Sequence, residues 1–270
     1  MSELGAGYNF QTYEQWFLEF SQEFLVGSEF DVANVQLKID HTMRVLEFVR
    51  QIAGARCLGG RLTELAHLAA LFHDVGRFEQ YARYRTFHDQ MSVNHAYQGV
   101  VTLKRQRVLE DLAPAARKLV LGAMALHNRR FLPRGLPREL EELTRMVRDA
   151  DKLDIFQVML AHFTPGSRHN KVVNLELRPD PDKYTPAVLA RVLGREMVNY
   201  QEMVWVNDFK LLLCSWIYDL KYSVSRRVVK ERGYLEKLLG YLPQNSEFKR
   251  LGEQLREDLA RGEERVSRVG

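Results

Sequence analysis

The chain has 270 residues, enough to bury a sizeable core within one large domain. Its 46% hydrophobic and 27% charged content is ordinary for a globular protein, and a net charge of +4 agrees with an anionic substrate without demanding a nucleic acid. Two cysteines, Cys57 and Cys214, exclude a disulfide framework or a thiolate metal site and point to a reducing cytoplasm.

Residues 1–9 are small and polar and read as loose. They lack a basic region followed by an apolar stretch, so no signal peptide is expected, and no apolar run approaches the roughly 18 residues that a membrane span needs. Over 12–24, Tyr13, Trp16, Phe17, Phe20 and Phe24 recur at three- and four-residue steps, which predicts an amphipathic helix ended by Gly27-Ser28. A second helix is predicted over 35–52, where Leu37, His41, Val45, Phe48, Val49 and Ile52 keep near-helical spacing, with Gly54 and Gly59-Gly60 marking the turn after it. Thr63 is the candidate cap of a third helix running to Gly76 or Phe78. Residues 79–95 are polar, aromatic and basic without a period; they read as a loop placed to cover or contact a substrate. Helices are predicted at 95–110 and at 114–127, the latter begun by Pro114. An Arg-, Pro- and Gly-rich turn over 128–137 leads to a long helix at 139–160. A proline-bearing connection over 164–186 is read as a subdomain boundary. Apolar helical periodicity returns over 186–222, and a charged helical tail follows from Ser223.

The chemistry centres on His73-Asp74, at the end of the apolar run 65–72. An apolar helix rarely carries an ionisable pair into its buried half without compensation, and a metal cation is the simplest compensation. His41 upstream, and His127 and Asp151 downstream, supply matching ligands, and His95 between them is a candidate to join. Imidazole nitrogen with carboxylate oxygen suits borderline and hard divalent metals. Arg77 follows Asp74 by three residues. If the helix continues past Gly76, its planar guanidinium lies where an anionic oxygen would sit. Plainer readings stand beside these. His127 equally suits a helix end where it meets the dipole. His67 reads as a core histidine, and His162 and His169 as unrelated to the centre. Arg83, Arg85, His88 and Asp89 read as solvated, and Lys152 equally as a partner for Asp149 or Glu141.

The order His41, His73-Asp74, Asp151 resembles the pattern of the HD-domain superfamily of metal-dependent phosphohydrolases. The flanks Asp40-His41-Thr42, Ala70-Leu71-Phe72-His73-Asp74-Val75-Gly76-Arg77 and Asp149-Ala150-Asp151-Lys152-Leu153-Asp154 carry it, over roughly 35–160. Arg77-Phe78-Glu79-Gln80-Tyr81, followed by Ser92-Val93-Asn94-His95-Ala96, is similar to a bacterial subgroup of HD proteins. The resemblance implies an all-α fold: one domain over 1–270, with an HD core at 35–160 and additional C-terminal helices at 184–270. It implies His41, His73, Asp74 and Asp151 as primary metal ligands, with His95 and His127 for a second ion in branches that hold two. It further implies hydrolysis of a small phosphorylated molecule, expected to be a nucleotide, by water activated at one or two divalent ions. Manganese, iron, cobalt, nickel, zinc and magnesium are the candidates. Asp74, Arg77 and Lys152 would be the catalytic groups.

Departures from known branches narrow this. Gly76-Arg77 replaces the Glu that some guanosine-polyphosphate hydrolases place soon after the pair, the extended second motif of cyclic-dinucleotide phosphodiesterases is absent, and the chain is short for the large deoxynucleoside triphosphate hydrolases. Two alternatives use the same ligands: a di-iron oxygenase, and a non-catalytic nucleotide-binding sensor. No membrane partner is expected, and the apolar C-terminal helices permit a homodimer.

Overall fold

The computed structural model describes residues 4–5, 7–167, 170, 172–173, 175 and 177–267, with side chains through Arg261 in the last helix; His169 lies outside the described residues. Its regular elements there are helical, beside an isolated bridge between Arg178 and Trp205, and the fold is all-α. No described helix is long and apolar enough to cross a membrane. The chain divides into two compact units, Met1–Asp151 and Lys152–Gly270.

The first unit opens with α1 (Phe10–Gln22), capped by the Asn9 side chain and burying Tyr13, Phe17 and Phe20. The residues before it are not loose where described. Leu4 is buried, its carbonyl accepts from Ala113 N at 2.8 Å, and the Tyr8 hydroxyl donates to Glu64. Helix α2 (Glu29–Ala55) starts earlier than its apolar period suggests. Ser28 Oγ accepts from Asp31 N and Asp31 Oδ2 accepts from Ser28 N, both at 3.2 Å; this reciprocal cap satisfies donors that the first turn leaves without helical partners.

Helix α3 (Gly60–Phe72) is the centre of this unit. It packs against α2 and against α6 (Pro114–Leu126), and Leu65, Ala66, Leu68, Ala69, Ala70, Leu71 and Phe72 are all fully buried. Burying each such leucine contributes on the order of 2 kcal/mol. Thr63 is not its cap: Gly59 holds that position, and the Thr63 hydroxyl donates to Leu58 O from within the first turn.

The helix does not run on to Gly76. It stops at Phe72, and the chain turns through His73, Asp74 and Val75 on tighter bonds, Val75 N to Phe72 O at 3.1 Å and Arg77 N to Asp74 O at 2.8 Å. Helix α4 then runs Gly76–Tyr84, so the first part of the expected loop is helical, with Phe78, Gln80 and Tyr81 buried. The loop itself begins at Arg85, whose left-handed φ of 54° ends α4. A single short 3-10 turn, Asp89–Met91, interrupts it before α5 (His95–Arg105). Helix α5 ends short of the expected residue 110, with Arg107 at a φ of 58°.

Gly76 sets how closely α4 and α5 approach. A Cβ there would lie 2.2 Å from His95 O and 2.5 Å from Gly99 N, and one on Gly99 would lie 3.2 Å from Gly76 N. Two glycines let the backbones nearly touch, which brings the start of α5 beside Asp74.

Helix α7 (Arg138–Phe163) contains the division between the units. In the second unit Phe156 stacks on Tyr234 and meets Trp216 edge-on, both at 5.6 Å between ring centroids. The continuous helical pattern expected over 186–222 is instead α8 (Pro186–Leu193), an irregular stretch, and α9 (Val206–Ser215). Buried Asp208 accounts for the break: its carboxylate accepts from Thr185 N and Oγ1, both at 2.7 Å, and from Val204 N and Trp205 N, both at 2.9 Å. It thus holds the starts of both helices and takes up donors that a continuous helix would hide. The charged tail is helical as expected, in α10 (Ser223–Glu231), α11 (Tyr234–Gly240) and α12 (Ser246–Ser267).

Candidate metal centre

The His and Asp side chains singled out in the sequence converge within the first unit. Helix α2 supplies His41, the turn after α3 supplies His73 and Asp74, and α5 begins with His95. His127 caps α6, and Asp151 comes from α7. They form two groups of three, His41 with His73 and Asp151, and Asp74 with His95 and His127. In each group the ligand atoms lie within 4.8 Å of one another. All but Asp151, whose side chain is 20% exposed, are buried.

Asp74 stands where the two groups meet. Its Oδ2 faces His41 Nε2 at 3.6 Å and His73 Nε2 at 3.9 Å, and its Oδ1 faces His95 Nε2 at 3.2 Å and His127 Nε2 at 3.9 Å. Each oxygen also has its own cation: Lys38 Nζ lies 2.8 Å from Oδ2 and Arg77 Nε 3.4 Å from Oδ1. Burial pushes the Asp74 carboxyl up, but Lys38 and then Arg77 hold it well below the usual carboxylate range. Burial likewise opposes ionisation of Asp151, and the hydrogen bond and charge of His41 override it.

The donor set fits a divalent metal. His73 Nδ1 lies 2.7 Å from Ala70 O, His127 Nδ1 2.7 Å from Met124 O, and His95 Nδ1 2.8 Å from each Asp89 oxygen. An acceptor behind each ring puts the proton on Nδ1 and turns the bare Nε2 inward, the arrangement that orients metal-ligating histidines. Burial holds His127 down to about 3 and lowers His73 and His95, so these rings are neutral. Yet His95 Nε2 stands 3.1 Å from His127 Nε2, and His41 Nε2 3.3 Å from His73 Nε2. Between His95 and His127, both proton-bearing at Nδ1, facing lone pairs at that distance repel unless a cation lies among them. Donors about 2.1 Å from one ion at right angles would be about 3 Å apart. Imidazole with carboxylate is the donor chemistry of manganese, iron, cobalt, nickel and zinc.

The remaining expected residues fall as follows. Arg77 lies beside Asp74 although the helix breaks before Gly76, because α4 restarts there. Its Nη1 donates to Gln80 Oε1 and Asp89 Oδ1, both at 2.9 Å, and to Phe87 O. Lys152 belongs to the second unit, where its Nζ pairs with Asp219 Oδ2 at 2.8 Å. Asp89 is not solvated: it accepts from His95, Arg77, Gln80 and Asn128, and these partners hold its carboxyl down against burial.

Other contributors were not singled out in the sequence. Lys38 precedes His41 by three residues, one turn away on the same face of α2, which was the available signal. Arg148 precedes Asp151 in the same way; it donates to the carbonyls of His127 at 2.9 Å, of Arg129, and of Arg130 at 3.3 Å, fixing the segment that carries His127. Nothing in local sequence joins Asp89 to His95.

The family model for the HD domain matches residues 39–155, which contain all of these groups except Lys38. Comparison with curated proteins and with solved structures gave no match. With His41, His73-Asp74 and Asp151 in their order and brought together in space, residues 39–155 form an HD domain, which supports membership of the HD-domain superfamily.

Proposed function

We propose that this protein is a metal-dependent phosphohydrolase acting on a small phosphorylated molecule, with a nucleotide as the expected substrate. HD domains are in general metal-dependent phosphohydrolases. The observation that carries the reading is the pair of donor groups that meet at Asp74, itself flanked by two cations. Divalent ions held there would supply an activated water and neutralise phosphoryl oxygens. His41, His73 and Asp151 would hold one ion and His95 and His127 the other, with one Asp74 oxygen turned to each. Asp89 and the carbonyls of Ala70 and Met124 keep the rings in the ligating tautomer. Arg77, fixed by Asp89, Gln80 and Phe87 O, holds a positive charge at the edge of the site at no reorganisation cost.

The test is release of phosphate from a panel of nucleotides and simple phosphate esters, with each candidate metal in turn. Turnover that depends on metal and disappears in Asp74→Asn is expected. A panel with no turnover under any metal would overturn the proposal.

A second reading, a di-iron oxygenase, draws support from the two imidazoles in the Asp74 group, since imidazole suits iron. It requires iron in both positions and substrate-dependent dioxygen uptake. Full activity in iron-free protein excludes it.

A further inference from the structure

Lys38 and Arg77 reach Asp74 from different elements, α2 and α4, and both lie over one ring: Lys38 Nζ is 5.2 Å and Arg77 Cζ 6.0 Å from the centroid of Phe87. Phe87 is itself buried, against Tyr81 at 5.0 Å. The fold therefore gathers two like charges at a single point, which is unfavourable unless an anion joins them. Asp74 is that anion here, and among the described residues it is the only carboxylate within reach of Lys38. The same carboxylate has one oxygen facing each donor group, so an ion in either group would draw on it.

The charge balance points the same way. The carboxylates of Asp74, Asp89 and Asp151 exceed the cations of Lys38 and Arg77 by one charge, and a pair of divalent ions would reverse that excess. A filled site then needs an anion from outside. Both cationic side chains open to solvent, Lys38 at 15% and Arg77 at 14% exposure, while Asp74 lies beneath them at 4%.

We propose that Lys38 is a substrate-binding residue: with Arg77 across the Phe87 ring it forms a two-pronged clamp for the oxygens of a phosphoryl group, and Asp74 is its resting partner. This rests on the phosphohydrolase reading and names a contact that the HD motif does not contain. Lysine suits the part because its flexible stem lets one ammonium exchange a carboxylate for a phosphate, whereas Arg77 is tied in place.

The experiment is calorimetric titration of inorganic phosphate into manganese-loaded protein, with metal content measured on the same samples. Lys38→Met should keep its metal and bind phosphate about tenfold or more weakly, the loss of one charge-assisted hydrogen bond. Lys38→Arg should restore most of the affinity. Lys38→Gln replaces the Met variant if that one fails to fold. Unchanged phosphate affinity in the neutral variants would overturn the clamp and leave the phosphohydrolase reading standing, with Lys38 a counterion of Asp74. Loss of metal from them would overturn it equally, by making Lys38 a support for the ligand. Failure of the parent protein to bind phosphate would overturn both.

Discussion

His95 Nε2 and His127 Nε2 stand 3.1 Å apart, each ring anchored from behind, by Asp89 and by Met124 O. Bare nitrogens that close are a site for a cation, and they separate the two groups experimentally. Elemental analysis of protein purified without a chelating tag should find two ions per chain. His127→Ala should keep one and Asp74→Ala should keep fewer than the parent. A parent with a single ion that His127→Ala leaves in place would remove His127 from the ligand set.

Gly76 offers a test of how the second group is assembled. Its missing Cβ would meet His95 O at 2.2 Å, and backbone atoms at that distance cannot yield without moving α5. Gly76→Ala should destabilise the protein by about 1–3 kcal/mol, as overpacking does, and should loosen the ion held by His95 and His127 more than the other. A urea midpoint and metal content equal to those of the parent would contradict the crossing argument.

Asp89 touches no position an ion would take, yet it fixes the tautomer of His95. Outer partners of ligating histidines typically contribute about 10- to 100-fold in metal affinity. Asp89→Asn should weaken one of the two sites by that order and leave the other unchanged, read from competition with a chelating dye. Equal weakening of both would assign Asp89 a general structural role.

Acid should destabilise the metal-free protein in a defined window. Burial holds His127 down from 6.5 to about 3 and lowers His73 and His95 also. The unfolded chain therefore takes up these protons first, so the contribution is complete above about 6.5 and is lost as the pH falls toward about 3. Asp74, Asp89 and Asp151, all held low, add a further loss below about 3.8 as they are protonated. Urea unfolding of chelator-treated protein at about pH 7.5 and about pH 5 should show the lower midpoint at pH 5, with a smaller difference in His127→Gln. A midpoint independent of pH across that range would count against neutral rings in the folded state.

Adding metal back should stabilise the folded chain, by about 2.7 kcal/mol when the free ion is at a hundred times its dissociation constant. The gain should be smaller in Asp74→Ala, measured as thermal unfolding with and without manganese.

The sequence carried the candidate ligands because their order is a pattern and their types are rare in apolar helices. His41, His73, Asp74, His95, His127 and Asp151 were all legible, and so was the all-α class, since Tyr13, Phe17 and Phe20 repeat at helical spacing. The helix ends were less so. The end of α3 at Phe72 depends on Gly76 meeting α5, a contact across the fold, and the break before α9 depends on Asp208 bonding to Thr185. Propensity within a window holds neither fact. Asp89 escaped for the same reason: its partners His95, Arg77 and Asn128 come from three different segments. Lys152 is adjacent to Asp151 in sequence, but successive helical residues point about 100° apart, and its ammonium pairs with Asp219, a partner that adjacency does not reveal.

The donors of this centre begin at His41 and end at Asp151, and both cysteines are free. Ions bound there would rivet together stretches of chain that no covalent bond joins. For α5 or α6 to swing away, coordination must break first, so opening near the site would be all-or-none rather than a gradual fraying. Catalytic machinery and cross-link would be the same object, and a change that spares every ligand but slackens the rivet would surface first as lost rigidity.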